Sequence, residues 1–269
     1  MNIGNIVALT PLWLIFLGTM ALNLICVQVG ILLARYRIKR VGPENDSNIS
    51  MTVGAMAGLL AFILTFTFGM TAGRFTDKND LLLKEVNAIE TTFLRAGLLP
   101  EPHRSEVRKL LKEHINLRVE PVESMEDVNE RIKQSESLQG QMWLHAEALA
   151  AADLKNPDIV ALFIESLNEM FRLQTDRVTI SLIRRIPSSL WTMLLTLFVV
   201  TTVGLGYHFG ISSSGKTHWM PAVILISLAF SCVFLLIADF DRETINKKMI
   251  YVNRQPMIEL YQRIDGKMK

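Results

Sequence analysis

Cysteine is scarce in this chain, and the motifs of common catalytic sites are missing from it. Of 269 residues only Cys26 and Cys232 are cysteines, and both fall in apolar stretches. The polar part therefore carries no thiol for a disulfide or a thiolate metal site, and the two cysteines read as small packing residues. No glycine-rich phosphate loop, nucleophile elbow or zinc-protease motif occurs. The five histidines, at 103, 114, 145, 208 and 218, are not spaced to set two ligands on one helical face. These absences predict no enzyme, no cofactor and no metal site. A net charge of +2, without a basic patch interleaved with aromatics, points away from nucleic acid as a partner.

Charge is also absent from four long stretches, which are the dominant feature of the chain. Residues 10–34, 51–73, 187–210 and 219–238 contain no Asp, Glu, Lys or Arg. Each matches the ~20 residues that a helix rising ~1.5 Å per residue needs to cross a ~30 Å hydrocarbon core. The predicted fold class is all-α: a polytopic protein with four transmembrane helices, solvated by membrane lipid. Two hairpins, within 1–73 and 187–238, flank a polar helical insert at 74–186, and a tail follows at 239–269. The first span is expected to stay in the mature protein, since no basic residue precedes it and it is too long for a signal-peptide core. Without charges inside the spans, there is no carboxylate relay for proton-coupled transport and no arginine ladder for voltage sensing.

With four spans, the insert and tail share one side. Basic residues flank the spans more heavily there, among them Arg74, Lys78, Arg184, Arg185, Arg242, Lys247 and Lys248. That bias places the insert and tail in the cytoplasm, with the spans in the inner (plasma) membrane. The short first loop, carrying Arg35, Arg37, Lys39 and Arg40, argues the other way.

The insert reads as helices. Leu82, Val86, Ile89, Phe93 and Ala96 alternate four- and three-residue steps, which puts them on one stripe of a helix continuing from the second span. Pro100 and Pro102 end it. Val107, Leu110, Leu111 and His114 share a face of a second helix. Ser124, with Asp127 three residues on, starts a third, running through Val128, Ile132, Leu138, Met142 and Leu149. Asn156-Pro157-Asp158 combines a capping side chain, a first-turn proline and an acid at the positive dipole end. The helix it opens carries Ile159, Phe163, Ser166, Met170 and Leu173 and is expected to run almost to Pro187. The two long stripes suit packing on each other or on a partner. Glu85, Glu90 and Arg95 read either as acid, base and anion binder or, with no cleft or partner motif beside them, as a solvated charged face.

Inside the membrane, 100° steps along the second span set Ala55, Gly58, Phe62, Phe66, Gly69 and Gly73 on one face, opposite Leu60, Leu64, Thr67 and Thr71. Small residues let backbones approach, so this face is expected to meet protein. Phe62 and Phe66 either fill gaps beside the glycines or form an apolar constriction that gates by dewetting. Asn23 and Gln28 are the intramembrane amides, expected to hydrogen-bond between helices, the alternative being to line a wet cavity. Arg74, Asp77, Asp239, Asp241 and Arg242 sit at span ends, either as pore-mouth charges or as paired interfacial charges. Trp13, Trp191 and Trp219 fit interfacial anchoring.

The order of motifs after the second span resembles the bestrophin-like family. It comprises Arg74-Phe75, Glu85-Val86-Asn87-Ala88-Ile89, Phe93-Leu94-Arg95, Leu98-Leu99-Pro100, Leu167-Asn168-Glu169 with Arg177, Arg185-Ile186-Pro187, Gly206-Tyr207 with Phe209-Gly210, and Asp239-Phe240-Asp241-Arg242 followed by Gln255-Pro256. The sequence departs from that pattern at Glu90-Thr91 and at Glu243. Bestrophins are pentameric channels with four spans per subunit, a cytosolic helical bulk and a pore lined by the second span. The resemblance implies a homo-oligomer, pentameric by analogy, with Phe62 and Phe66 as neck candidates and Asp239 or Asp241 as mouth charges. No motif matches the channel's own neck or calcium-clasp segments, so no residue is carried across. The alternative is a non-conducting scaffold or sensor whose cytosolic helices bind a protein partner.

Overall fold

The computed structural model describes residues 10–42, 46–120, 124–152, 156–180, 186–212, 220–241 and 253–268. Among them are eight helices and no strand. The apolar stretches lie in α1 (Leu12–Val41), α2 (Asp46–Ala96), α6 (Ser188–Ser212) and α7 (Met220–Asp241), each long and apolar enough to cross a membrane. The polar helices are α3 (His103–Val119), α4 (Met125–Ala151), α5 (Pro157–Val178) and α8 (Gln255–Met268). This is the all-helical, four-span fold that the charge-free stretches predict. At 51 residues α2 is roughly 75 Å long, more than twice a ~30 Å hydrocarbon core, so its polar second half lies outside the membrane.

Local sequence explains where the polar helices begin. Ser124 and Asp127 form a reciprocal capping box, the Asp127 N–H donating to Ser124 Oγ at 3.1 Å and the Ser124 N–H to Asp127 Oδ2 at 2.9 Å. Asn156 makes no capping hydrogen bond, so Pro157 at the first helical position and Asp158 in the first turn carry the start of α5. That helix ends at Val178 and residues 179–180 form a wider, π-type turn. The expected run to Pro187 crosses 181–185, outside the described residues. Gly42 ends α1 with φ 92°, a left-handed conformation that glycine adopts without strain, and its N–H donates to the Ile38 carbonyl. The tail at 239–269 contains α8, whose Met257, Leu260 and Ile264 recur at helical spacing and are buried.

The chain divides into two compact units, one of Met1–Arg74 and Arg185–Ile250, the other of Phe75–Arg184 and Tyr251–Lys269, with α2 contributing to both. In the first, α1 packs on α6 and α7. Glycine makes the α1–α6 contact: a Cβ on Gly30 would lie 2.1 Å from the Val203 carbonyl oxygen, and one on Gly206 2.2 Å from that of Val27. Leu60 and Leu64 of α2 join Trp191, Leu194, Phe198, Phe234 and Ile237 in a common core, where the Phe198 ring meets Phe234 edge-on at 5.1 Å between centroids. In the second unit the predicted stripe Leu82, Val86, Ile89, Phe93 and Ala96 packs with Phe163 and Met170 of α5, with α3 and α4, and with the apolar face of α8.

Gly206→Ala should therefore destabilise by about 1–3 kcal/mol, because its methyl group meets backbone that cannot rotate away. Gly140→Ala on α4 meets nothing within 4 Å and should stabilise by up to about 1 kcal/mol through lower unfolded-chain entropy. Melting curves of the two variants in one detergent should move in opposite directions.

Candidate functional site

The second span presents two contrasting faces. Leu60, Leu64, Thr67 and Thr71 are buried against the chain's own helices. The Thr67 hydroxyl donates to the Ile63 carbonyl at 2.8 Å and Thr71 to that of Phe68 at 2.9 Å, so neither is left unpaired in an apolar setting. On the other side Ala55, Gly58, Phe62, Phe66, Gly69 and Gly73 are all exposed, Phe62 by 67% and Phe66 by 57%. A Cβ added at Gly58, Gly69 or Gly73 would meet nothing within 4 Å. The small-residue face thus has no protein against it within one chain.

Of the intramembrane amides, Asn23 is buried and its Oδ1 lies 2.7 Å from Ser227 Oγ, linking α1 to α7. Gln28 is exposed. Among the span-end charges the structure brings Arg74 and Asp241 together at 3.3 Å. Asp241 also accepts the Ile186 N–H at 2.8 Å and the Trp191 indole N–H at 3.2 Å, so one carboxylate ties α2, the entry to α6 and the end of α7. Trp191 is accordingly buried as a donor and is not an interfacial anchor, whereas Trp13 is exposed and Trp219 lies outside the described residues. Asp239 is buried, Asp77 is exposed, and Arg242 lies outside the described residues.

Residues 21–242 match the Bestrophin-like domain family. The chain belongs to the bestrophin-like family. Its fold is similar to crystal structures of a bacterial bestrophin homologue from Klebsiella pneumoniae. Two variants of that protein superpose with TM-scores of 0.66 and 0.63 at 13% and 14% identity, each covering 94% of this chain and 97% and 98% of theirs. A structure of the Klebsiella pneumoniae homologue phased on zinc gives 0.60 at 15% identity, covering 96% of this chain and 98% of that one. At these identities the likeness is one of fold. No curated protein matches the sequence.

In this bestrophin-like chain two of the motifs that carry the resemblance meet in the second unit. Glu85 on α2 is fully buried, with Arg177 Nε of α5 at 2.9 Å and Arg118 Nη2 of α3 at 3.4 Å from its Oε2. The expectation of a solvated charged face is corrected for this residue: Glu85 shares the buried side of α2 with Leu82, Val86 and Ile89, which the three- and four-residue spacing already implied. Glu90 does reach solvent and pairs with Arg263 at 3.2 Å, and Arg95 pairs with Glu165 at 3.4 Å. Burial alone would raise the Glu85 pKa, yet the Arg118 and Arg177 charges outweigh it and hold the carboxylate below its ordinary range. Burial, with the Arg118 charge, lowers Arg177 to about 10. Beside them Ser135 Oγ donates to Gln174 Oε1 at 3.0 Å and stands 3.1 Å from His114 Nδ1, which makes that nitrogen the donor to the hydroxyl.

Burial also lowers His114 from 6.5 to about 4. Between those values the unfolded imidazole binds a proton that the folded one refuses, so stability falls as pH drops from 6.5 toward 4, by up to about 3 kcal/mol. The depressed Glu85 carboxyl adds a loss of the same sign once pH falls below 4.5. Melting temperature against pH should slope downward on acidification in the wild type, and His114→Asn should flatten it between pH 6.5 and 4.

Proposed function

We propose that this chain is the subunit of a homo-oligomeric ion channel of the bestrophin kind, with α2 of each copy lining the pore. The observation that supports it is the α2 face of Gly58, Phe62, Phe66, Gly69 and Gly73, exposed and without a neighbour in its own chain. Glycine on a transmembrane helix serves close approach of backbones. Within the chain that service is performed elsewhere, by Gly30 and Gly206, which leaves the α2 glycines for copies of the same helix. In a ring of copies, five by analogy with bestrophins, Phe62 and Phe66 form successive apolar collars and the glycines give the backbones room to meet.

The clamp of Asp241 on Arg74, Trp191 and the Ile186 N–H holds the end of the pore-lining span against its own hairpin partners. With Asp241 so engaged and Asp239 buried, Asp77 is the span-end acid best suited to face permeating ions. The reading includes the inner (plasma) membrane as location, with the polar unit in the cytoplasm. The stripes that would serve a protein-binding scaffold are covered inside the polar unit, so no observation favours that alternative.

The purified protein should run as a discrete homo-oligomer in native mass spectrometry and carry ions across liposomes after reconstitution. A monomer that passes no ion at any imposed voltage sinks the reading.

A further inference from the structure

Among the described residues, the centre of the polar unit holds more positive charge than its acids neutralise. Arg118 and Arg177 share the single carboxylate of Glu85. Arg131 of α4 reaches the end of α3, donating to the Leu117 and Glu120 carbonyls and pairing with the Glu120 carboxylate. Arg254, the residue before α8, is half-buried and close enough to Arg118, Arg131 and Arg177 for their charges to act on one another. No acid among the described residues pairs with it. Arg118, Arg177 and Arg254 against Glu85 leave a surplus of two positive charges. The first turn of α8 has no acidic residue, so the positive end of that helix adds to the same potential.

Two further observations point to a ligand. Arg118 Nε, Glu85 Oε1 and His114 Nε2 are buried without protein partners, a donor beside acceptors, which suits a group that both accepts and donates. The Arg118 and Arg177 side chains keep 23% and 17% of their surface exposed, so the edge of the cluster meets solvent while its unpaired atoms are buried. Desolvated like charges gathered this closely are unfavourable until a counter-ion joins them. Guanidinium forks match the oxygens of a tetrahedral oxyanion in pairs, which a spherical halide does not exploit.

We propose that Arg118, Arg177 and Arg254 form a binding site for a phosphoryl oxyanion, free or carried on a larger molecule. The site shares no residue with the α2 face of Gly58 to Gly73 and does not depend on conduction. Arg254 is its discriminating residue, because Glu85 already engages the other two.

The test uses the full chain in a phosphate-free neutral detergent, titrated with inorganic phosphate against sodium chloride of equal ionic strength, with thermal melting and phosphorus NMR line width as readouts. Phosphate should raise the melting temperature saturably by several degrees and broaden its own resonance, and chloride should do neither. Arg254→Gln should weaken phosphate binding roughly tenfold or more, the loss of a charge-assisted hydrogen bond. It should also raise the phosphate-free melting temperature, since it removes a cation crowded by others. Arg254→Lys, which keeps the charge without the fork, should retain part of the response. Arg263→Gln, on the same helix but paired with Glu90, should retain all of it. Repeating the titration with ATP, and in phosphatidylglycerol nanodiscs, separates the carriers: an Arg254-dependent response to phosphate or ATP in detergent identifies a soluble one, and a response confined to nanodiscs identifies a lipid headgroup. Either supports the site. The proposal is overturned if Arg254→Gln responds to all three probes as the wild type does, if the wild type responds to none, or if Arg254→Gln lowers the phosphate-free melting temperature as a purely structural arginine would.

Discussion

Glu85→Ala should lower stability by about 3–5 kcal/mol, one of the largest losses any single side chain in the polar unit can produce. The size follows from what is left behind, which outweighs what is removed. Arg118 and Arg177 approach the same carboxylate oxygen, and without it two poorly hydrated guanidiniums repel each other inside a packed bundle. Glu85→Gln should be nearly as damaging, because the amide keeps the shape and loses the charge. The triple variant Glu85→Met with Arg118→Met and Arg177→Met should recover much of the loss, since replacing all three ionic partners together by apolar groups of similar length leaves no uncompensated charge among them. By contrast, breaking the exposed Arg172–Glu169 pair should change stability little, since water screens it. Denaturant melts of the four variants provide the measurement. A Glu85→Ala loss below about 1 kcal/mol, within the range of an exposed pair, would show that water already reaches the cluster freely.

Phe62→Ala combined with Phe66→Ala should raise ion flux per reconstituted protein roughly tenfold, a barrier change of about 1.4 kcal/mol. Both rings are exposed in the isolated chain, so truncating them removes no intramolecular core and melting of the protomer should barely move. What changes, on the proposed pore reading, is the width and wetting of the collar the rings form between copies. Leu64→Ala supplies the opposite pattern: its side chain is buried against the chain's own helices, so a loss of about 2–5 kcal/mol in stability is expected, with unit flux unchanged. If the double phenylalanine variant conducts at the wild-type rate while remaining oligomeric, the α2 face does not set the barrier.

Several features were legible before any coordinates. The absence of charge over residues 51–73 and the stripe from Leu82 to Ala96 together imply one long helix that leaves the membrane, and α2 is that helix. Ser124 and Asp127 announce α4, because a capping box is made by residues three apart and needs nothing distant. Other features are present in the letters but name no partner by themselves. Met257, Leu260 and Ile264 have the spacing of a buried helix face, but a stripe of three residues among charges gains meaning only beside the core it covers. Glu85 falls on the buried side of its helix by the same spacing that places Val86 and Ile89. A lone acid on an apolar stripe is costly unless a cation comes to it, and Arg118 and Arg177 arrive from other helices.

The amino-acid sequence by itself determined which segments leave water and where most helices start, because transfer free energy and capping depend on residues within a few positions of one another. Only the tertiary structure decided the partners of the polar groups: Asn23 with Ser227, Arg74 with Asp241, Glu85 with Arg177. It also decided which glycines, Gly30 and Gly206, bring helices together and which, such as Gly58 and Gly69, stay open. The physical reason is that a charge or a missing side chain has no fixed energetic value until distance and solvent around it are set, and both are set by packing between segments far apart in the chain.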